Sequence, residues 1–319
     1  MPRIRCHRNA RASLTDAHAQ AFPSKPIRVI SAFAAGMGPD VAMRSLADKM
    51  SRQLGQPVGI EPRPGGNGFI ATNALKQSPA DGYTLLLVSN AHLSLNPHLF
   101  REVPYNVETD FDPVSTIYHA PFFIATSATS PYQNLAQLLA AAKSEPNRVT
   151  YSIPYIGSPP HLGGAFFEHL TGTKILAIPY KDVQVTSSVA AGEIDFTMAT
   201  LGSFNALLKG GRLKLLAIAQ PARLKSEPNV PTVEEAGGPK GLTVESWVGL
   251  VAPRGTPPDI VRRLQEEMSR ALVAPDLVER YHDAGLVAKS ATPAEMASLI
   301  RTDGKFYSKL IKQIGMTVE

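Results

Sequence analysis

The sequence predicts an α/β protein built as two lobes around a hinged cleft, and three observations predict it. From Lys25 onward, short apolar runs alternate with helical periods in strand–helix–strand order. After "YNVETDFDPVSTIYHAPFFIATS" the same alternation restarts, giving a second α/β unit of about 120 residues, a normal domain size. The last part of the chain holds one long strand pattern and three helices, too few strands for a third domain.

The elements follow in order. "PIRVISAF" is a strand bounded by Pro26 and by the glycines Gly36 and Gly38. "PDVAMRSLADKMSRQLG" is an amphipathic helix: Ala42, Leu46, Met50 and Leu54 share one face, while Arg44, Asp48, Lys49 and Arg52 point away. Pro39 suits its first turn and Gly55 its end. "PVGIEPRP" is a second strand, and "GGNG" at Gly65 to Gly68 a second glycine turn before the helix of "FIATNALKQS". "PADGYTLLLVSN" is a turn and a third strand, apolar enough to be buried on both faces. Parallel strands with right-handed crossovers place their ligand loops beyond the carboxyl ends. Three loops then meet on one rim: Phe33–Asp40, Pro64–Phe69 and Ser89–Leu93.

In the second unit, "NLAQLLAAAKSEP" is a helix, "RVTYSIP" a strand, and "SPPHLGGAFFEHLTG" a glycine-rich turn and helix. "KILAIPY", "EIDFTMAT" and "RLKLLAIAQP" are strands separated by the helices of "VTSSVAAG" and "SFNALLKGG". "ESWVGLVAPRGTP" then reads as a long strand before the final helices, and "NPHLF" as a loop. The expected organisation is a signal-like or disordered segment at 1–22, domain 1 at 23–123, domain 2 at 124–245, and a return to domain 1 at 246–319. The chain would cross between lobes near 120–126 and 243–250, and two crossings make a hinge.

Composition removes several classes. The hydrophobic share is 44% and the charged share 18%, with 319 residues, which is ordinary for a globular protein with ample core. No apolar run approaches the roughly 20 residues that span a bilayer. The net charge of +5 comes from bases scattered among acids, so no clustered nucleic-acid face is expected. Cys6 is the only cysteine, which excludes an intrachain disulfide, a CxxC pair and a cysteine-built zinc site. The N-terminal stretch has small residues before Phe22 and positive charge before them, but no apolar core, so as written it is not a competent export signal.

The first glycine loop carries the main functional question. Gly36–Met37–Gly38 between a strand and a helix is half of the dinucleotide fingerprint, and Glu61 ends the next strand where an acid would hold a ribose. Against it, Val41 stands where the third glycine belongs and Pro39 has no N–H to offer. A carboxylate needs less: free N–H groups at a helix start and a glycine turn hold an oxyanion without a basic side chain. The loop Tyr155–Ile156–Gly157–Ser158–Pro159–Pro160–His161 offers a counterpart in the second lobe. Each loop read alone favours an ordinary strand–helix turn over a ligand site. Ser158 reads as a helix cap or ligand donor, and no nucleophile elbow accompanies Ser158 and His161. Asp40 suits a helix's first turn by the dipole alone, or a ligand role. Trp247 reads as core or hinge packing, and His92 with His98 is weak as a metal pair. No catalytic or metal-ligating residue and no cofactor is expected.

The stretch "FPSKPIRVISAFAAGMGPDVAMRSLADKMSRQLGQPVGIEPRPGGNG" resembles the mature N-terminus of the Bug family, the substrate-binding proteins of tripartite tricarboxylate transporters. The likeness continues through "DGYTLLLVSNAHLSLNPHLFREVPYN", "GSPPHLGGAFFEHLTG", "AAGEIDFTMA", "SWVGLVAPRGTP" and "TPAEMASLIRTDGKFYSKLIKQIGM", and so covers nearly everything from Phe22 onward. The resemblance implies a type II periplasmic-binding-protein-like fold and a periplasmic, monomeric, non-enzymatic receptor that closes on a small organic carboxylate. Its partners would be membrane transporter subunits, or a sensor kinase. Carried over, the first pincer is Phe33, Ala34, Ala35, Gly36, Met37 and Asp40, with Ser89 and Asn90 lining the same lobe. The second is Tyr155, Gly157, Ser158 and His161, with Ala199, Thr200 and Ser203 lining the cleft. Met37 and Pro39 depart from the family's glycine and threonine, which makes the loop more apolar and points to a ligand with a hydrophobic or aromatic body. The alternatives are a nicotinamide-dependent enzyme with a Rossmann-like first domain, and a cytoplasmic or sensory carboxylate-binding protein.

Overall fold

The computed structural model describes residues 22–154, 156–180 and 184–315. The calls on residues 1–21 and on Tyr155 lie outside these described residues.

The first parallel group of strands is β1 (Ile27–Ser31), β2 (Val58–Pro62) and β3 (Thr84–Ser89). Its helices are α1 (Gly38–Leu54) and α2 (Phe69–Lys76), and the short α3 (Asn96–Leu99) and α4 (Val107–Asp110) follow β3. "NPHLF", read as a loop, therefore contains a helical turn. Pro39 stands in the first turn of α1, and Gly55 ends it in the left-handed region at φ 68°. All six residues of β3 are buried, because helices cover both faces of its sheet. One face packs Met43, Leu46 and Met50 of α1 against Leu85 and Leu87. The other packs Ile30, Leu86 and Val88 against Ala71 and Leu75 of α2.

The long strand β4 (Phe111–Ser127) comes next, and the sequence pattern had marked no strand there. Its run is almost wholly buried and irregular in register, so no period of two is left to read. The second parallel group is β5 (Thr150–Ile153), β6 (Leu176–Pro179) and β7 (Phe196–Thr200), with α5 (Leu135–Ser144), α6 (Pro159–Thr171), α7 (Gln184–Ala190) and α8 (Leu201–Lys209). Strand β8 (Leu213–Ile218) follows, then β9 (Glu245–Pro253). The chain closes with α9 (Pro258–Leu272), α10 (Pro275–Asp283), the two-residue β10 (Val287–Ala288) and α11 (Pro293–Ile314). Thr292 and Glu295 form a reciprocal capping box at the start of α11.

The strands join in the order β2-β1-β3-β9-β4-β7-β5-β6, with β8 and β10 pairing to β4. Strand β1 is parallel to both its neighbours, and so is β5. Between these triplets β9 and β4 run antiparallel, and β4 serves both halves. Phe111 to Pro121 pair with β9, and Phe122 to Ser127 pair with β7 and β8. The stretch 120–126 thus lies where β4 passes from one group to the other. α9 packs Leu264 and Met268 into the first cluster beside α1, and α11 adds Met296 and Ile300 to the second. The C-terminal helices therefore cover the first parallel triplet. Separate clusters around Tyr151, Phe167 and Phe196, and around Phe123, Val189 and Phe204, flank the second triplet.

Candidate ligand-binding site

The loops after β1 and β5 are built alike, and glycine chemistry explains why. Gly36 and Gly157 both take positive φ, at 81° and 83°, which L side chains rarely adopt. The next residues, Met37 and Ser158, are the helix caps with nearly identical extended backbones, φ/ψ −69°/157° and −66°/157°. In each loop the side chain four residues on accepts the glycine N–H. Asp40 Oδ2 takes it from Gly36 at 2.9 Å, and His161 Nδ1 takes it from Gly157 at 2.9 Å.

These bonds change what the first loop can offer. Asp40 is 1% exposed, and its two oxygens also accept Arg44 Nε at 2.9 Å and Nη2 at 3.1 Å. Burial alone would raise this carboxyl, but the Arg44 hydrogen bond, the Gly36 amide and the Arg44 charge together hold it below its usual range. Asp40 and the Gly36 N–H, expected among the ligand contacts, thus face each other inside the loop. The amides of Ala35, Gly38 and Asp40 donate to no acceptor among the described residues. Ala34 contributes its carbonyl to Met37 N at 3.2 Å.

A cavity of about 580 Å³ opens between the start of α1 and the start of α8. From the first triplet it takes Phe33, Met37, Gly38 and Val41; from the second it takes Thr200, Gly202 and Ser203. Thr200 Oγ1 and Ser203 Oγ lie 3.3 Å apart at the helix start, where first-turn N–H groups lack partners within the helix. Tyr118, Phe122, Ser246 and Val248 of β4 and β9 form its back wall. The far side is α10, with Arg280, Tyr281 and Ala284. Arg280 Nη1 donates to Ser45 Oγ at 3.0 Å, and Tyr281 donates to the Ala42 carbonyl at 2.8 Å, which fixes α10 on α1. Amide donors at one end, an apolar middle and one guanidinium suit an organic acid with an apolar body.

Of the residues expected to bind, Phe33, Met37, Thr200 and Ser203 share this cavity. The other expected residues that the structure describes do not line it. Ala199 is buried at the end of β7, and Ala35 is exposed on the loop. Ser158 is fully buried and caps α6, accepting His161 N at 3.4 Å. Burial pushes the His161 imidazole down, which suits its role as an acceptor at Nδ1. Asn90 is 1% exposed and faces a separate cavity of about 250 Å³ with Pro159 and Tyr307. Its Nδ2 donates to the Glu245 carbonyl at 3.0 Å and to Tyr307 Oη at 3.1 Å. The helix start from the second half that lines the larger cavity is that of α8, while Pro159 at the start of α6 lines the smaller one.

Ser89 is occupied by His92. The Ser89 N–H donates to His92 Nδ1 at 3.0 Å, and Ser89 Oγ lies 3.0 Å from the same nitrogen. Burial pushes this imidazole down to about 4, so it is neutral with its proton on Nε2. The ring edge-packs on Phe33 at 5.4 Å and so supports the cavity wall. Gly68 makes room for it: a Cβ there would stand 2.6 Å from Nε2 and closer to Cδ2. That is the physical reason for a glycine at position 68. Glu61, the acid the dinucleotide alternative requires, is engaged by Arg63 at 2.6 Å and Arg28 at 3.3 Å.

Sequence reasoning did not find Arg280, Ser45, Tyr118 or Phe122. Arg280 reads locally as a charged residue on a helix, and only the return of the chain places it beside α1.

An α/β fold of two parallel strand groups, bridged by long antiparallel strands with loops converging between them, defines the periplasmic-binding-protein-like class. Residues 42–316 match the tripartite tricarboxylate transporter family receptor (TctC), and the chain belongs to that family. It is 33% identical to protein BugT of Bordetella pertussis over 303 residues, covering 93% of this chain and 91% of BugT. Among solved structures it is similar to R. palustris Rpa4515 with adipate, at TM-score 0.84 and 28% identity, covering 93% of this chain and 99% of that one. It is also similar to MatC from Rhodopseudomonas palustris with bound malate, at TM-score 0.79 and 26% identity, covering 91% and 100%. Among the described residues, no helix is long and apolar enough to cross a membrane.

Proposed function

We propose that this chain is a periplasmic, non-enzymatic receptor that captures a small organic acid in the cavity between α1 and α8 and presents it to the membrane subunits of a tripartite transporter. One observation carries the reading: unsatisfied helix-start amides from both halves of the molecule, with Ser203 and Thr200, line one apolar cavity of about 580 Å³. The adipate and malate bound by its structural relatives support a carboxylate. The binding step is closure: the two strand triplets are the lobes, and β4 with β9 is the hinge. A ligand touching both lobes favours the closed state by its differential affinity.

The ligand is an acid with an extended apolar body. Phe33, Met37, Val41 and Phe122 solvate that body, the helix starts hold one carboxylate, and Arg280 meets a second acidic group where the ligand has one. Thermal-shift titration with adipate, hexanoate and benzoate tests this, because a ligand of the native state raises its apparent stability. Adipate is expected to raise the melting temperature most. Arg280→Met should weaken adipate by about tenfold, roughly 1.4 kcal/mol, and leave hexanoate unchanged. No shift with any acid refutes the receptor reading, while equal losses for adipate and hexanoate refute the role of Arg280.

A further inference from the structure

A second concave surface lies outside the candidate cleft. It is a groove of about 760 Å³ between α11 and the segment that runs from α3 to α4. Its floor is apolar: Leu93, Tyr105 and Ile300 are only 2%, 7% and 8% exposed, and half-buried Phe100 and Val107 extend it. Its rim is basic. Arg301, Lys305, Lys309 and Lys312 are exposed along one edge, at helical spacings of four, four and three. None of the four forms an ion pair with a described residue. Among the described residues, Glu108 is the one acid that lines the groove. α11 comes close to α3 through Gly304, where a Cβ would stand 3.3 Å from His98 Nε2.

We infer that this groove is a docking surface for an acidic amphipathic segment of a partner protein. The charge pattern sets the partner's sign, since four cations in a row with no ion-pair partner among the described residues repel one another until anions are laid against them. The length sets its size: the cations span about 17 Å of helix at roughly 1.5 Å per residue, several times the reach of a single carboxylate. The shape decides between a chain and a lipid surface. The apolar groups are recessed beneath the cations, so a flat headgroup layer meets the lysines but not the floor, whereas a peptide ridge fills both. None of these residues lines the cavity between α1 and α8, so docking here leaves the cleft accessible.

The test uses the full chain and a fluorescein-labelled synthetic peptide of about four helical turns, with Glu on one face and Leu on the other. Fluorescence anisotropy should show saturable binding that weakens as salt rises. The triple variant Lys305→Glu/Lys309→Glu/Lys312→Glu should bind at least about tenfold more weakly. Val107→Asp, which leaves α11 intact, should also lose affinity. Circular dichroism and the acid thermal shift confirm that both variants are folded. Three results overturn the inference: unchanged binding by the triple variant, equal binding of a peptide with the same composition in scrambled order, or cosedimentation with phosphatidylglycerol vesicles without binding of the peptide.

Discussion

Acidification is expected to loosen this protein through His92, the buried imidazole behind Phe33. Its ordinary value is 6.5 and burial lowers it to about 4 in the folded chain. The unfolded chain therefore binds more protons between those two values. The stabilisation is complete above pH 6.5 and is lost as pH falls toward 4. A slope of about 1.4 kcal/mol per pH unit makes the loss roughly 2 kcal/mol between pH 7 and 5, and about 3 kcal/mol by pH 4. The structure supplies the reason: protonated Nδ1 would turn a donor toward the Ser89 N–H, 3.0 Å away. Urea unfolding at the two pH values measures it, against His92→Asn, whose amide oxygen can accept the same N–H and does not titrate. With an m-value near 3 kcal/mol/M, the wild-type midpoint should drop by roughly 0.7 M more than the variant's. Equal drops in the two proteins would refute the argument, because every other titrating group is common to both.

Three further outcomes follow from the same geometry. Gly68→Ala should destabilise by at least about 2 kcal/mol, because its Cβ strikes the His92 ring and φ is +88°; a neutral urea midpoint would contradict this. Asp40→Asn should cost about 1 kcal/mol, the modest size reflecting a half-exposed Arg44, and should weaken acid binding several-fold by loosening the first loop. The wild-type contribution of Asp40 is present above pH 3.8 and fades as pH falls below it, so the variant's deficit should shrink in acid. Trp247→Phe should cost about 1–3 kcal/mol, since Asp303, raised by burial, loses the indole N–H that meets it at 2.7 Å; denaturant titration of the two proteins checks this.

The parallel groups were legible in the sequence because helix and strand periods alternate cleanly and glycine or proline marks the turns. β1, α1, β2 and α2 follow from local pattern alone, as does β3 as a strand buried on both faces. β4 was not legible. Burial along most of its length and shifts in register erase the alternation that identifies a strand.

The sequence by itself determined the class of fold, and it determined that glycine loops and helix starts would stand at the mouth of each strand group. Those properties are local: a positive φ, a proline in a first turn and an apolar stripe act within a few residues. Tertiary structure alone decided which donors remain free. Asp40 takes the Gly36 amide, His161 takes the Gly157 amide, and His92 occupies Ser89. It alone brought the start of α8 to face that of α1, and carried Arg280 from the far end of the chain to the wall of the same cavity. A hydrogen bond depends on distance in space, and residues 235 positions apart in the chain acquire that proximity only when the chain returns to its first triplet.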